Sequence, residues 1–241
     1  MKNKYLSKKT KTEKKLEKKL ESDLTSSKFR ILNEKLYTMT SEDAFNYFKE
    51  NKEDFKIYHK GFSFQSEKWP INPNELILKT LKLKKYKKKI IADIGCGEAF
   101  LAKNLIPLGY KIYSFDLVSI NNFVTVANMK NIPLKDKEID IGIFCLSLMN
   151  KNFIPFIVEA NRILKVKGKL LVAEINSRIV DLDKFILQFK LLKFKLIKKV
   201  NIKDFFTILS FKKIGDVSLS KNIEDKDNTF DILKPCLYKK R

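Results

Sequence analysis

The chain has 241 residues, of which 44% are hydrophobic, and a formal net charge of +22. It can therefore bury a sizeable core, and its charge favours polyanionic partners, nucleic acid before an anionic membrane surface. Its cysteines, Cys96, Cys145 and Cys236, form no Cys-x-x-Cys pair, which argues against a disulfide framework and a structural zinc site. The longest apolar run, 141–149, is far shorter than the roughly 20 residues of a membrane span, and no secretory signal opens the chain, so we expect a soluble intracellular protein.

Residues 1–28 form a lysine-rich segment that we expect to be a basic, disordered tail, because it offers little apolar surface to bury. Leu16, Leu20 and Leu24 recur every fourth residue, a spacing that would let a helix form on a partner. Lysine runs of this kind are typical of nuclear targeting segments and of arms that bind phosphates.

Residues 29–84 are predicted to be a helical extension. Phe29, Leu32 and Leu36 recur at helical spacing, and Thr40 begins a capping-box-like start to a second helix. Pro73 is predicted to open a further helix, because proline is favoured in a first helical turn.

The stretch IYHKGFSFQSEKWP, residues 57–70, holds the only histidine of the chain, His59, and the only tryptophan, Trp69. It contains Gly61 and lies between two predicted helices, so we expect a loop here. Trp69 is expected to anchor this loop by packing, with stacking on a substrate as the alternative.

From residue 85 to 241 the pattern changes to alternating strands and helices, which predicts an α/β domain with a mostly parallel sheet. The segments FKLIKKV and FFTILSFKKI have no helix between them and predict a terminal antiparallel strand pair. The predicted strands are 89–95, 111–117, 123–129, 139–148, 169–175 (after a turn at Lys167–Gly168), 194–200 and 205–214; the predicted helices are 98–106, 152–165 and 181–192.

A glycine-rich loop carries the clearest chemical signal. The first strand ends in Asp93-Ile94-Gly95-Cys96-Gly97, and glycines after a strand let a backbone approach a ligand closely. Asp116 closes the second strand, where a carboxylate can accept hydrogen bonds from ribose hydroxyls. A nicotinamide dinucleotide site would need a third glycine where Phe100 stands. The pattern therefore favours S-adenosylmethionine, which has a ribose but no phosphate. The alternative is a tight turn that needs glycines only because side chains would not fit, with no ligand involved.

Several motifs together resemble the ribosomal-RNA-processing methyltransferase family. They are YHKGF (58–62), KWP (68–70), IADIGCGEAFLA (91–102), FDL (115–117), VTVANM (124–129), FCLSLM (144–149), EANRILK (159–165) and PCLYKKR (235–241). The resemblance covers about residues 44–241. It implies a class I S-adenosylmethionine-dependent methyltransferase fold, Rossmann-like, and N1-methylation of an adenine in large-subunit (25S/28S) ribosomal RNA, in the nucleus and nucleolus.

The resemblance also implies which residues contact the cofactor. They are His59, Gly95, Asp116, Asn128, Met129 and Cys145, to which the loop pattern adds Gly97. Asn128 stands where the family is expected to have an aspartate; its amide keeps an acceptor, gains a donor and loses the charge. No metal is expected and no catalytic residue is assigned.

Adenine N1 is itself a lone-pair nucleophile, so orientation matters more than a strong base. Asp93, Glu98 and Asp140 are the candidate acceptors for the proton of the product's amino group. The basic tail and Lys84–Lys89 are expected to hold the RNA backbone.

Three alternatives remain open on the sequence. The chain could sense S-adenosylmethionine and recruit partners to chromatin or pre-ribosomes without transferring a methyl group. It could methylate a protein or a small molecule. It could be a dehydrogenase, in which case it would bind NAD in place of S-adenosylmethionine.

Overall fold

Four helices precede the sheet in the structure, a computed structural model that describes residues 11–217 and 229–238. They are α1 (Lys11–Thr38), α2 (Ser41–Glu50), α3 (Lys52–Ser66) and α4 (Pro73–Leu81). Thr40 caps α2 as predicted, since its hydroxyl accepts a hydrogen bond from the Asp43 amide at 3.1 Å. Pro73 opens α4 as predicted, and the Asn72 side chain caps that helix.

Two expectations about this region differ from the structure. Residues 57–66 are not a loop but the second half of α3, which places both His59 and Gly61 on a helix. Helix α1 begins at Lys11, so residues 11–28 are helical; residues 1–10 of the predicted tail lie outside the described part of the chain. Lysine, glutamate and leucine are good helix formers, and no proline or glycine interrupts this segment.

The sheet has seven strands in the order β3-β2-β1-β4-β5-β7-β6. The strands are β1 (Ile90–Ile94), β2 (Lys111–Asp116), β3 (Val124–Val126), β4 (Ile139–Cys145), β5 (Leu164–Ile175), β6 (Phe194–Ile202) and β7 (Phe206–Lys213). The first five strands pair in parallel, and β7 pairs antiparallel with both β5 and β6. The predicted mostly parallel sheet with a terminal antiparallel pair is confirmed.

Strand β5 begins earlier than predicted. Leu164 already pairs with Ile139, and the next pair joins Lys169 to Ile141, so the intervening residues of β5 bulge out of the ladder. Lys167, expected in a turn before the strand, has φ +68° within this bulge.

Helices cover both faces of the sheet and create two cores. Helices α6 (Ile154–Ile163) and α7 (Leu182–Leu191) pack on one face, where Phe189 stacks on Phe211 with ring centroids 4.3 Å apart. Helices α4 and α5 (Phe100–Leu105) pack on the other face, against residues such as Ile91 and Ile143. The boundary predicted between residues 84 and 85 assigns α4 to the helical extension. In the structure, however, α4 packs in the second core, against the sheet.

A third core joins α1, α2 and α3 to the carboxyl ends of the strands. Phe29, Phe48 and Phe55 are fully buried here, and Val118 and Met149, which follow β2 and β4, pack against them. The helical extension therefore lies over the edge of the sheet at which the parallel strands end. In open α/β sheets this is the edge where ligands bind.

Candidate active site

The loop after β1 is shaped by glycines in the left-handed region, with φ of +75° at Gly95 and +57° at Gly97. Both Gly95 and Cys96 donate their amides to the Phe115 carbonyl, which holds the loop against the end of β2. A Cβ atom at position 95 would lie only 2.4 Å from the Cβ of Ser147. Position 95 therefore requires glycine both for its backbone angle and for the close approach of the loop after β4.

Asp116 lies at the end of β2, beside the glycine loop. Its Oδ2 accepts the Gly97 amide at 2.6 Å, and its Oδ1 accepts the Leu117 amide at 2.7 Å. A carboxylate has about four lone-pair sites, so acceptor capacity remains for hydroxyl donors of a ligand. Burial raises the pKa of Asp116 to about 6, although both amide hydrogen bonds oppose this shift.

Asp93 lies one residue before the end of β1 and is buried next to Asp116. Burial, followed by the charge of Asp116, raises its pKa to about 7. The floor of the site thus holds two carboxyl groups that titrate near neutrality and compete for ionisation. A ligand that brings hydrogen-bond donors or a positive charge would stabilise their ionised forms.

His59 reaches the same loop from α3. A Cβ atom at Gly97 would lie 3.1 Å from the imidazole Cε1, and the Phe55 ring packs 4.4 Å from the imidazole centroid. Burial lowers the pKa of His59 to about 4, so the ring is neutral at physiological pH. Its Nε2 atom is buried and has no hydrogen-bond partner among the described residues. A buried, unpartnered nitrogen is costly unless a ligand satisfies it.

These groups enclose a cavity of about 220 Å³ at the carboxyl ends of β1, β2 and β4. Six of the seven predicted cofactor residues line it: His59, Gly95, Gly97, Asp116, Met129 and Cys145. On its far side His59 borders a wider groove of about 680 Å³ between α1 and α3.

Asn128 is the predicted cofactor residue that does not line the cavity. Its Nδ2 donates to the Ser41 carbonyl at 3.3 Å, and its Oδ1 accepts the Lys130 amide at 3.0 Å. The ion pair between Lys130 and Glu42, 2.7 Å apart, also ties this turn to α2. An aspartate at position 128 would lack the Nδ2 donor. Asn128 uses that donor to bind Ser41 of α2, and so to hold the helical extension.

Sequence reasoning missed five further residues that line the cavity: Phe62, Asn74, Ser147, Met149 and Asn150. The position of FCLSLM at the end of β4 could have predicted Ser147 and Met149, because residues that follow neighbouring parallel strands meet at one edge of the sheet. Trp69 also lines the cavity and packs edge-to-face on Phe62 and Phe206, at 5.5 and 5.2 Å between centroids. Packing is thus the role of Trp69 that these contacts support.

A buried ion pair between Arg178 and Glu174 supports the loop after β4. Arg178 lies 2.7 Å from Glu174 and donates to the carbonyls of Leu148 at 2.8 Å and Lys234 at 3.1 Å. Its guanidinium also lies over the ring of Tyr37, 4.7 Å from the centroid. Arg178 therefore ties the loop after β4 to α1 and to the carboxyl-terminal segment.

Two groups of residues considered for the site lie elsewhere. Asp140 is the second residue of β4, so it lies at the opposite edge of the sheet, where it accepts the Ile90 amide and pairs with Lys89 and Lys165. Asp140 is therefore wrong as a candidate proton acceptor, whereas Asp93 and Glu98 line the cavity. The cluster Lys84–Lys89 leads into the start of β1 and shares the distant edge.

The described residues form neither a candidate metal site nor a candidate membrane-spanning helix. Within 11–217 and 229–238, no three or more His, Cys, Asp or Glu residues are grouped so as to hold a metal ion. No helix in the same ranges is long and apolar enough to cross a membrane.

The strand order, the glycine loop after β1 and the carboxylate after β2 together define a class I methyltransferase fold. A solved structure with this fold is the Burkholderia thailandensis 1,6-didemethyltoxoflavin-N1-methyltransferase, which contains S-adenosylhomocysteine. The similarity has a TM-score of 0.54 and 13% sequence identity, and covers 70% of this chain and 90% of the other.

A family model described as "Hypothetical methyltransferase" matches residues 14–241, and the chain belongs to this family. The chain is 45% identical over 227 residues to the Dictyostelium discoideum protein "Ribosomal RNA-processing protein 8". It is 39% identical over 229 residues to the Schizosaccharomyces pombe protein "25S rRNA (adenine(645)-N(1))-methyltransferase". Each match covers 90% of this chain, but 58% of the first relative and 70% of the second. The predicted family is confirmed.

Proposed function

We propose that the chain is an S-adenosylmethionine-dependent methyltransferase that modifies N1 of an adenine in large-subunit ribosomal RNA during ribosome biogenesis. The observation that carries this proposal is the cavity in which a buried, unpartnered His59 nitrogen faces the Gly95–Gly97 loop and Asp116. The names of the relatives supply the substrate, since one is called an adenine-N1 methyltransferase of 25S rRNA. The net charge of +22 supports an RNA substrate. The names of the rRNA-processing relatives support a place in the nucleus and nucleolus.

The residues present fit the proposed cofactor. Asp116 has lone pairs left for two ribose hydroxyls, and the neutral imidazole of His59 can donate to or accept from a polar group of the ligand. The glycines at 95 and 97 allow close approach of the backbone. Met129 and Cys145 provide apolar walls. Asn128 Oδ1 accepts the Lys130 amide and keeps one lone pair for an amino group, but Asn128 does not line the cavity.

When bound, S-adenosylmethionine supplies an electrophilic methyl group on a sulfonium centre. The N1 lone pair of the substrate adenine would accept that methyl group, while Asp116, His59 and the Gly95–Gly97 loop would hold the cofactor. Since N1 is already nucleophilic, the chain's main task is to orient it, and the loop after β4, including Ser147 and Asn150, lies at the cavity for that purpose. N1 is on the Watson–Crick edge, so a paired adenine must first be unstacked.

The test combines purified protein, unmodified large-subunit rRNA and labelled S-adenosylmethionine, followed by reverse transcription. N1-methyladenine blocks base pairing, so we expect one protein-dependent stop at an adenine. Label transfer without such a stop would contradict the N1 assignment. Cofactor binding without label transfer to any RNA would favour the sensing function in place of the enzyme.

Two glycine variants provide the matched comparison for this assay. Gly95→Ala should abolish transfer and weaken cofactor binding by at least ~100-fold, because its φ is +75° and its new Cβ would clash with Ser147. Gly215→Ala should retain both, because no atom lies within 4 Å of its new Cβ. Isothermal titration with S-adenosylhomocysteine measures binding without turnover. Equal behaviour of the two variants would contradict the proposed site.

A further inference from the structure

The β6–β7 hairpin has one covered face and one open face. In β7, Leu209 and Phe211 are fully buried beneath α7, whereas the alternate residues Ile208 and Ser210 are half-buried and Lys212 is exposed. Successive side chains of a strand point to opposite faces. Ile208, Ser210 and Lys212 therefore lie on an open sheet face, which is on the same side of the sheet as α4 and α5.

Lysines from neighbouring strands line this open face. Lys195 of β6 pairs in register with Lys212 of β7, which pairs with Lys169 of β5, so the three side chains share one face. Lys198 pairs with Ser210 and adds a further cation to the same face. Like charges directly opposite one another destabilise a sheet, so such a row calls for a counter-charge.

No carboxylate in the described ranges supplies that counter-charge to Lys195, Lys198 or Lys212, none of which forms an ion pair there. By contrast, Lys213 faces the other side of β7 and pairs with Asp216 at 2.8 Å. The open face is therefore a concentrated positive surface rather than part of a mixed-charge network.

The open face leads directly to the cavity. Phe206, on the same face as Lys212, packs against Trp69, which lines the cavity. Phe206 itself is buried beneath Trp69, and Lys212 lies six positions further along β7, so Lys212 is about 20 Å from this end at 3.3 Å per residue. Val200, opposite Ile208, adds half-buried apolar surface between the aromatic end and the lysines.

We propose that this open face of β5, β7 and β6 is a track for the single-stranded RNA that flanks the target nucleotide. Phosphates contact Lys195, Lys198 and Lys212, and bases lie against the half-buried side chains of Val200 and Ile208 and, at the cavity end, of Trp69. A basic groove that combines backbone contacts with aromatic stacking is the arrangement by which proteins bind single strands. The inference rests on the proposed function and adds the path of the RNA.

The test compares two triple variants with the same change in net charge. The track variant carries Lys195→Glu, Lys198→Glu and Lys212→Glu. The control variant carries Lys184→Glu, Lys190→Glu and Lys199→Glu, exposed lysines of α7 and of the opposite face of β6. Fluorescence anisotropy measures binding of an unstructured RNA of about ten nucleotides at several salt concentrations.

We expect the track variant to bind RNA at least ~10-fold more weakly and to lower the slope of log K against log salt by about 2, since each phosphate contact contributes roughly 0.7. The control variant should lose at most ~3-fold, and both should keep the native affinity for S-adenosylhomocysteine, which reports folding. Equal losses in the two variants would overturn the track while leaving the proposed function standing. A native chain that neither binds nor methylates RNA would overturn both.

Crosslinking on the native chain provides a second measurement that does not depend on variants. RNA containing 4-thiouridine beside the target adenine should crosslink to peptides from residues 194–213. Crosslinks confined to other surfaces would contradict the track.

Discussion

At the scale of single residues, burial shifts the ionisation of the site in opposite directions. Burial lowers the pKa of His59 to about 4 and raises those of Asp116 and Asp93 to about 6 and 7. Between about pH 5 and pH 8 the imidazole therefore stays neutral while the carboxyl groups titrate. The ionisation of the carboxyl groups, rather than of the histidine, should dominate the pH dependence of ligand binding.

Affinity for the cofactor should fall as the pH is lowered, because Asp116 must be ionised to accept ribose hydroxyls. With a pKa of about 6, roughly a tenth of Asp116 is ionised at pH 5. We expect the Kd for S-adenosylhomocysteine to rise about 10-fold between about pH 7.5 and about pH 5, measured by isothermal titration. The Asp116→Asn variant should bind S-adenosylhomocysteine weakly, and its Kd should depend less on pH. A constant Kd for the native chain over this range would contradict the assigned role.

The same shifts affect stability in the ligand-free chain. A carboxyl group whose folded pKa is raised favours the folded state while protonated, and this advantage is lost as the pH rises from its unfolded pKa of 3.8 through its folded value of about 7. At high pH the folded chain must hold Asp93 as a buried anion, and Asp93→Asn removes the free-energy cost of that charge. We expect it to raise the free energy of unfolding by roughly 1–3 kcal/mol at pH 8 and by much less at pH 4. Chemical denaturation at the two pH values measures this, and an equal change at both would contradict it.

At the scale of elements, helix α3 is the part of the extension that completes the site. A Cβ atom at Gly61 would lie 2.5 Å from Cγ of Phe29, so the absence of a side chain lets α1 and α3 approach closely. His59 is two residues away on α3. The sequence indicated a loop because of this glycine, whereas the glycine serves helix packing.

Gly61→Ala should push α3 away from Phe29, which is 1% exposed and cannot easily move. We expect a loss of about 1–3 kcal/mol in the free energy of unfolding, as is typical of overpacking. Because the shift also moves His59, the Kd for S-adenosylhomocysteine should rise. Lys60→Ala, an exposed neighbour on the same helix, is the control and should change neither quantity. A more stable Gly61→Ala chain would contradict this packing.

At the scale of the whole molecule, the start of α1 lies outside the cores. Leu16, Leu20 and Leu24 are each more than half exposed, whereas Phe29, further along the same helix, is buried. These three leucines therefore contribute apolar surface to the exterior but little to folding. The role of this part of α1 in RNA binding, predicted from the lysines, stays a prediction.

Deletion of residues 1–24 should separate these contributions. It removes nine lysines against four acidic residues but no residue that lines the cavity. We expect the melting temperature to change by less than about 3 °C, because Leu16, Leu20 and Leu24 are exposed. Cofactor affinity should be unchanged, while RNA affinity and its salt dependence should fall. A large loss of thermal stability would mean that this segment packs on the rest of the chain.

Much of the fold could be predicted because its signals are local. Apolar runs marked the strands, the missing helix between the last two strands marked their antiparallel pairing, and Thr40 and Pro73 marked helix starts. The site was partly predictable for the same reason, since Gly95 and Asp116 follow directly from the ends of β1 and β2. The resemblance added His59, which no periodicity would have selected.

By itself, the sequence determined the order and type of the sheet elements, the glycine loop and the carboxylate after β2. These features depend on residues adjacent along the chain. Tertiary structure alone decided that His59 lies on a helix against Gly97, that Asp140 lies at the far edge, and that Asn128 is engaged by Ser41. It also decided which face of the β6–β7 hairpin stays open. Each depends on contacts between segments distant in sequence, whose geometry is set by packing of the whole core.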